Sequence, residues 1–199
     1  MKKSAMILSM ILVMVCGAYA QELGDGEVEQ GSAMSKIMKS SGSLLVRESH
    51  YLPALKTTLG EAIECEIMIL KNLLSSESKE DLTLGLVLKA KEKYSTKSAN
   101  IDPDEIEGLL ASLELIQSEG LALVTTPSIT SPKETGSSIE LHYRTKDGMV
   151  LGVYESKGKM KYALKVTSTA DWAYVSPKGI TTLISNLKAA LELFVGLQK

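Results

Sequence analysis

The sequence predicts an α+β protein built from two tandem ββββα units that pack as one pseudo-symmetric domain. The first observation is a repeated motif, Ala-x-aliphatic-(Asp/Ser)-Pro, which occupies residues 99–103 and again residues 173–177. The second is that apolar residues recur at helical spacing after each motif and at strand spacing before it. Because a single amphipathic helix covers only part of a four-stranded sheet, we expect the two halves to bury their apolar faces together.

Residues 1–20 have the three parts of a secretory signal peptide. Two lysines near the N-terminus are followed by apolar residues 5–15 and by Ala18-Tyr19-Ala20, whose small side chains suit cleavage near Ala20/Gln21. The apolar run is shorter than the ~20 residues that a transmembrane helix needs. The alternative is a lipoprotein with Cys16 as the lipidated residue, although the residues before it are not small. The sequence therefore predicts a periplasmic or secreted protein.

Composition divides the rest of the chain. Residues 21–43 are rich in Gly, Ser and acidic side chains and predict a flexible acidic leader. Residues 121–138 are rich in Ser, Thr and Pro and predict a linker. These segments separate a first ββββα unit at residues 44–120 from a second at residues 139–199. We expect no transmembrane span after the signal peptide, because charged residues interrupt every apolar stretch.

Four strands and a helix are predicted in the first unit. The strand segments are residues 44–51, 62–70, 82–91 and 99–101. Segment 62–70 is ambiguous, because its apolar residues also fit helical spacing. Asp102 then provides a helix cap and Pro103 the first helical residue, where a missing amide hydrogen costs nothing.

The second unit has the same order of predicted elements. The strand segments are residues 139–143, 149–155, 159–167 and 172–175. Asp147-Gly148 is a strong hairpin turn between the first two of these strands. Ser176 and Pro177 stand where Asp102 and Pro103 stand in the first unit, and they predict the start of the second helix.

Charge and cysteine content narrow the class of partner. Removal of residues 1–20 takes away Lys2 and Lys3 and no acid, which moves the formal net charge from −2 to −4. Such a protein has no general attraction to nucleic acid or to anionic lipid. Cys65 is then the single cysteine, so no intramolecular disulfide can form. Its alternation with glutamates predicts a small buried apolar side chain rather than a reactive thiol.

The order of elements from Leu44 to Phe194, with the repeated proline motif before each helix, resembles the repeat architecture of the Whirly and Pur-alpha families. The resemblance covers topology and no signature motif. It implies a shape and, by analogy, binding of single-stranded nucleic acid. Export and the acidic charge favour the opposite expectation, that no nucleic acid is bound.

Both histidines occur in the same local pattern, Glu-x-His-Tyr. Glu48 and His50 lie on the first predicted strand of one unit, and Glu140 and His142 on the first strand of the other. Residues two apart on a strand point to the same side. If a pseudo-twofold axis joined these strands, the four side chains could hold a zinc-like ion, and no other cofactor is expected. The alternative is that the pattern is left from duplication, with Tyr51 and Tyr143 on the opposite faces.

Lysines follow one face of a strand in each unit. Lys159, Lys161 and Lys165 do so in the second unit, where Trp172 and Tyr174 lie close in sequence. Aromatic side chains beside cations are typical of binding hot spots, so these five residues predict a binding surface. The first unit has a matching stripe, Lys89, Lys91 and Lys93, with Ala99 and Asn100 near the place that the two aromatic residues take in the second unit. In both units the alternative is a solvated face or an edge that lysines protect against aggregation.

We expect an exported binding or structural protein of the bacterial cell envelope rather than an enzyme. No Gly-x-Ser-x-Gly motif is present and neither histidine lies near a nucleophile turn. Paired acids such as Glu64 and Glu66 are interpreted as residues of a solvent-facing strand side. The expected partner is an unidentified protein or envelope polymer, and self-association into a homo-oligomer is left open. The alternatives are the metal protein and the nucleic-acid binder described above.

Overall fold

The computed structural model describes residues 31–74, 82–125 and 140–197, and within them the fold is a mixed α+β fold, as predicted. The first sheet contains β1 (Leu45–Lys56), β2 (Ala62–Asn72), β3 (Leu82–Lys91) and β4 (Thr96–Ile101). The second sheet contains β5 (Glu140–Arg144), β6 (Val150–Ser156), β7 (Lys159–Lys165) and β8 (Ala173–Val175). The helices are α1 (Ala33–Lys39), α2 (Pro103–Thr125) and α3 (Pro177–Leu197).

Each sheet is a simple antiparallel meander. The strand orders are β1-β2-β3-β4 and β5-β6-β7-β8, so strands adjacent in sequence are also adjacent in space. The ambiguous segment at residues 62–70 forms β2, because its neighbours β1 and β3 pair with it on both sides. Tertiary pairing therefore decides between two local patterns that the sequence leaves equal.

Each sheet has an inner face, which packs on the helices, and an outer face on the opposite side. Side chains from the inner faces of both sheets join α2 and α3 in one principal core, in which Leu86, Leu151 and Phe194 are almost completely buried. α2 follows the first sheet in sequence and contacts β3 of that sheet as well as β5, β6 and β7 of the second, while α3 contacts β1 and β3 of the first. The two sheets therefore share a core that contains both helices.

Both long helices begin at the predicted prolines. Ser176 caps α3, since its hydroxyl oxygen accepts a 3.0 Å hydrogen bond from the Gly179 amide. Gly179 is required by packing as well, because an added Cβ would lie 2.7 Å from the carbonyl oxygen of Lys56. At α2, Glu105 accepts a hydrogen bond from the Asp102 amide, as in a capping box, while Asp102 accepts one from Ala33 instead of capping its own helix.

Hairpin residues of each half contact the last strand of the other. Thr57 forms an isolated β-bridge with Val175, and the Thr58 amide donates a 2.7 Å hydrogen bond to the carbonyl oxygen of Tyr174. On the other side, the Asp147 carboxylate in the β5–β6 turn accepts hydrogen bonds from the backbone amide and the side-chain amide of Asn100 in β4. These contacts fix the two sheets relative to each other.

The expectation of a flexible leader through residue 43 is wrong for α1. Ser32 caps this short helix, and Met34 is completely buried against Met68, Leu70 and Val87 on the outer face of the first sheet. Spacing of apolar residues at Met34 and Ile37 places both on the sheet. The polar composition of the leader concealed this short amphipathic segment.

Other sequence-based boundaries differ in smaller ways. α2 continues to Thr125, five residues into the expected linker at residues 121–138. The signal peptide, Cys16, leader residues 21–30 and linker residues 126–138 lie outside the described residues.

One helix in the described part of the chain, α3, is long and apolar enough to cross a membrane. The charged residues of this helix between positions 179 and 196 are Lys188 and Glu192. One side of α3, including Leu183, Leu187 and Phe194, is buried in the protein core.

Candidate binding face

The outer face of the second sheet brings together the five residues of the predicted binding surface. Lys159, Lys161 and Lys165 alternate along β7 and share a side with Ala163. Tyr174 pairs directly with Ala163 on β8, and Trp172 lies two residues before Tyr174. The alternate β7 residue Leu164 is buried in the core, so the lysines face outward.

Trp172 and Tyr174 form part of a cleft on this face, which we call the aromatic cleft. It has a volume of about 370 Å³. Its walls are formed by Glu140, His142, Tyr154, Trp172 and Tyr174. Three of these five side chains were not connected with the binding surface by the sequence.

The floor of the aromatic cleft is made of small residues. Gly152 and Ala163 are paired on adjacent strands, and His142 pairs with Gly152 from the other side. A Cβ added to Gly152 would lie 3.4 Å from Trp172 and 3.5 Å from His142, which is ordinary contact distance. The rings of Trp172 and His142 are therefore seated close to the sheet backbone, with their centroids 6.4 Å apart.

The lysines of this face lie beside the cleft rather than in its walls, which contain one acidic side chain, Glu140. The Lys165 ammonium group lies 5.9 Å from the centre of the Trp172 ring, a cation–π arrangement. Among residues 31–74, 82–125 and 140–197, no carboxylate forms an ion pair with Lys159, Lys161 or Lys165. Burial raises the pKa of Tyr154, and the adjacent Tyr174 and Glu140 raise it further, so the phenol remains a neutral hydrogen-bond donor.

A second cleft, which we call the basic cleft, shares Tyr154 and Tyr174 with the aromatic cleft. Its volume is about 430 Å³, and its lining combines Lys159 and Lys161 with apolar side chains, among them Met160, Val175 and Pro177. It lies along the start of β7, beyond the end of the short strand β8. The two clefts therefore adjoin each other at Tyr154 and Tyr174.

The outer face of the first sheet is different, because Lys89 and Lys91 have carboxylate partners, while Lys93 of the same stripe lies 4.9 Å from the centre of the exposed Tyr94 ring. Glu66 accepts 2.6 Å hydrogen bonds from both Arg47 and Lys89, and its side chain is only 3% exposed. Lys91 pairs with Glu64 at 2.6 Å, which lowers the pKa of Glu64. The prediction that Glu64 and Glu66 share a solvent-facing side is therefore wrong for Glu66.

The apolar part of that outer face, formed by Met68, Leu70 and Val87, is covered by α1. Four hydrogen bonds fix the N-terminus of α1 and the adjacent β4 to Asp147. The donors are the Ser32 amide (2.6 Å), the Ser35 hydroxyl (2.5 Å), the Asn100 amide (3.1 Å) and the Asn100 side chain (2.8 Å). Burial would raise the pKa of Asp147, but these hydrogen bonds outweigh it and lower the pKa.

The two Glu-x-His patterns lie on different sheet faces. His50 pairs with Ile67, an inner-face core residue, whereas His142 pairs with Gly152 on an outer face. A β-bulge between Leu52 and Leu55 adds one residue to β1. The side chains before the bulge therefore point to the sheet face opposite to the one that regular alternation would give them. The expectation that Tyr51 and Tyr143 lie alike is therefore wrong: Tyr51 is 82% exposed.

Each histidine contacts its own glutamate. His50 lies 2.9 Å from Glu48, and His142 lies 3.1 Å from Glu140. In the described part of the chain, no three His, Cys, Asp or Glu side chains are grouped in a way that could hold a metal ion. The structure thus does not bring the four predicted ligands together. Glu140 and His142 instead form one wall of the aromatic cleft.

Cys65 is a buried apolar side chain, as predicted. It is 2% exposed on the inner face of β2, and burial raises its pKa to about 11. A neutral thiol of this kind is unreactive at physiological pH.

No protein-family model matches the chain, and no curated protein matches it. Its class is therefore defined by the molecule itself: an α+β protein of two antiparallel four-stranded sheets, one with a closed outer face and one with an open aromatic and basic face.

Proposed function

We propose that the chain is an exported, non-catalytic binding protein of the bacterial cell envelope, and that it holds an anionic partner on the outer face of its second sheet. The observation that carries this proposal is the set of three lysines, Lys159, Lys161 and Lys165, that lie beside exposed aromatic rings and have no carboxylate partner in the described residues. Unpaired cations next to Trp and Tyr are the composition of binding hot spots.

The contrast with the first sheet supports this assignment. There, Lys89 and Lys91 already have acidic partners, and α1 covers the apolar part of the outer face. Solubility alone would explain exposed lysines, but it would not explain the open cleft that Trp172 and Tyr174 border in the second sheet. An external anion is the partner that matches both the charge and the cleft.

We also infer that the two ββββα halves form one pseudo-symmetric domain. Two reciprocal features support a duplication. The Thr57 amide donates to the carbonyl oxygen of Glu61 across one hairpin, and the Thr145 amide donates to that of Met149 across the other. Each of these hairpins contacts the last strand of the opposite half. When the two hairpins are aligned on Thr57 and Thr145, the residue at the position of His142 is Ala54 rather than His50.

Export is inferred from residues 1–20 alone, with cleavage near Ala20/Gln21. The proposed units are residues 44–120 and 139–199. An exported location favours an acidic protein or envelope polymer as partner over a nucleotide or nucleic acid.

The test is salt-dependent binding of the mature chain to two acidic polymers, polygalacturonate and poly-L-glutamate. We expect at least one to bind, with an affinity that falls as salt rises, because the attraction is between exposed charges. Replacing Lys159, Lys161 and Lys165 together by Gln should weaken that binding at least tenfold.

The matched control replaces three lysines of the first unit, Lys71, Lys91 and Lys93, by Gln. This triple variant has the same net charge, so it removes any effect of charge alone. Equal loss of binding in both triple variants, or no binding of either polymer to the parent protein, would refute the proposed function.

A further inference from the structure

We propose that the partner is an acidic glycan and that one of its sugar rings stacks on Trp172 in the aromatic cleft, with its carboxylate at Lys165. This inference rests on the proposed function of the face and adds the chemistry of the ligand.

The first argument is the shape of the aromatic cleft. At about 370 Å³ it is at the small end of ligand clefts, which occupy ~300–1,000 Å³. Gly152 and Ala163 leave its floor flat and close to the backbone. A single ring can therefore lie against the wall formed by Trp172, whose side chain is 42% exposed.

The second argument is the mixture of apolar and polar walls. A pyranose ring has an apolar face of C–H groups and a rim of hydroxyls. Trp172 and Tyr174 offer apolar ring surface together with polar edges, which suits such a face. Glu140 and His142 on the facing wall supply hydrogen-bonding groups for hydroxyls. An extended peptide would use fewer of these polar groups.

The third argument is the charge distribution, which separates an acidic sugar from a dense polyanion. Glu140 would repel a ligand that presents negative charge throughout the cleft, such as a phosphodiester or a polyglutamate chain. A sugar acid has one carboxylate per ring and hydroxyls elsewhere. It can place the carboxylate at Lys165 and donate a hydroxyl hydrogen bond to Glu140.

The basic cleft extends the same chemistry to a second sugar. It adjoins the aromatic cleft at Tyr154 and Tyr174, and Lys159 and Lys161 line it. Lys161 and Lys165 are four residues apart on an extended strand, a separation of about 13 Å. Because consecutive pyranose rings lie closer together than this, rings that are not adjacent in one glycan chain can each place a carboxylate near a lysine, which favours a polymer over a free monosaccharide.

The experiment measures calorimetric binding of a galacturonate oligomer to the mature chain, with a neutral galactose oligomer and poly-L-glutamate of equal length as comparisons. We expect the acidic oligosaccharide to bind at least tenfold more tightly than either. Trp172→Ala should weaken its binding at least tenfold, while Tyr51→Ala, an exposed tyrosine on the first sheet, should have no effect.

Trp172 is the single tryptophan of the chain, so stacking of a sugar should also change its fluorescence. Gly152→Val keeps this tryptophan and fills the floor of the cleft. It is the second variant if Trp172→Ala does not fold, and we expect it to abolish the fluorescence change.

The outcomes separate this inference from the proposed function. If poly-L-glutamate and the galacturonate oligomer bound equally well, and Trp172→Ala did not weaken either, the proposal of a glycan ligand would be wrong. The proposed anion-binding function would stand. Equal binding of the neutral oligomer would overturn the role of the carboxylate. If neither acidic probe bound, the proposed function and this inference would both be wrong.

Discussion

The outer faces of the two sheets have the same strand order and alternating lysines on their third strands, yet they differ in what surrounds those lysines. On the first sheet, Lys89 contacts a buried glutamate and α1 covers the neighbouring apolar residues. On the second, Lys161 lines the basic cleft together with Tyr174, and Lys165 lies over the ring of Trp172. The environment of such a lysine stripe is therefore set by the side chains of the neighbouring strands.

The first sheet shows what such a face becomes when the chain supplies its own partners. Acids from β2 neutralise the lysines, and a short helix from the N-terminal side buries Met34 on the apolar part. The second sheet has no equivalent cover among the described residues. Substitutions that release α1 or remove the acidic partners of the lysines on the first sheet therefore test what makes the two outer faces different.

The largest expected effect is that of Asp147→Ala. The carboxylate accepts four hydrogen bonds that connect α1 and β4 to the β5–β6 turn. Net contributions of about 1 kcal/mol for each bond predict a loss of about 3 to 4 kcal/mol in the free energy of unfolding. Urea denaturation measures the loss, and hydrogen exchange at α1 should show its amides becoming unprotected.

Asp104→Ala is the control, because Asp104 is exposed and pairs only with Lys146. We expect a change below about 0.5 kcal/mol. Protection of α1 that survived in Asp147→Ala would show that apolar packing of Met34 alone holds the helix.

Asp147 also predicts how stability depends on acid. Its folded-state pKa lies below the usual 3.8, so its contribution is fully present above that pH and is lost as pH falls through the folded value. Glu105 has the opposite sign, because burial raises its pKa and its protonation on acidification relieves a cost. In unfolding measured between pH 7 and pH 2, the difference between parent and Asp147→Ala should shrink at the acid end. A constant difference would contradict the assignment.

An intermediate effect is expected for Glu66→Gln. Glu66 is buried and its charge is balanced by Arg47 and Lys89, which are 45% and 25% exposed. Removing the charge leaves two partly buried cations without their partner, and we expect a loss of about 2 kcal/mol in urea denaturation.

Glu64→Gln provides the matched comparison on the same strand. Its pair with Lys91 is exposed on both sides, and the expected loss is below about 0.5 kcal/mol. Equal losses in the two variants would mean that burial of Glu66 does not distinguish the two faces.

The smallest effect is expected for the double variant His50→Ala/His142→Ala. Since the two histidines lie on opposite kinds of face, no zinc-dependent rise in melting temperature is expected in either the parent or the variant. Thermal unfolding with and without zinc, and metal analysis of protein purified without chelator, check this. Stoichiometric zinc that disappears in the double variant would restore the metal hypothesis.

Much of the fold could be predicted because its signals are local. Alternation marks the strands, and the Asp102-Pro103 and Ser176-Pro177 pairs mark both helix starts. α1 was missed because it has only seven residues and lies in a polar segment. Its signals were present in Ser32 as a cap and in the spacing of Met34 and Ile37.

The site could be predicted only in part because sheet register is not local. Lys165 and Trp172 were connected by their closeness in sequence, whereas Tyr154 and His142 reach the cleft through strand pairing. The bulge in β1 shows the same limit, since one extra residue reversed the face of His50. Burial of Glu66 likewise depends on cations that come from two other strands.

Cys65 and Trp172 have a practical consequence as reporters. Trp172 is the single tryptophan of the sequence and Cys65 the single cysteine among the described residues, and they lie in different halves: the thiol inside the first sheet and the indole beside the second. Alkylation of Cys65 requires the first sheet to open, whereas the fluorescence of Trp172 reports on unfolding of the second sheet. Coincident transitions would establish that the two sheets unfold as one cooperative unit, and separated ones would give the order in which they come apart.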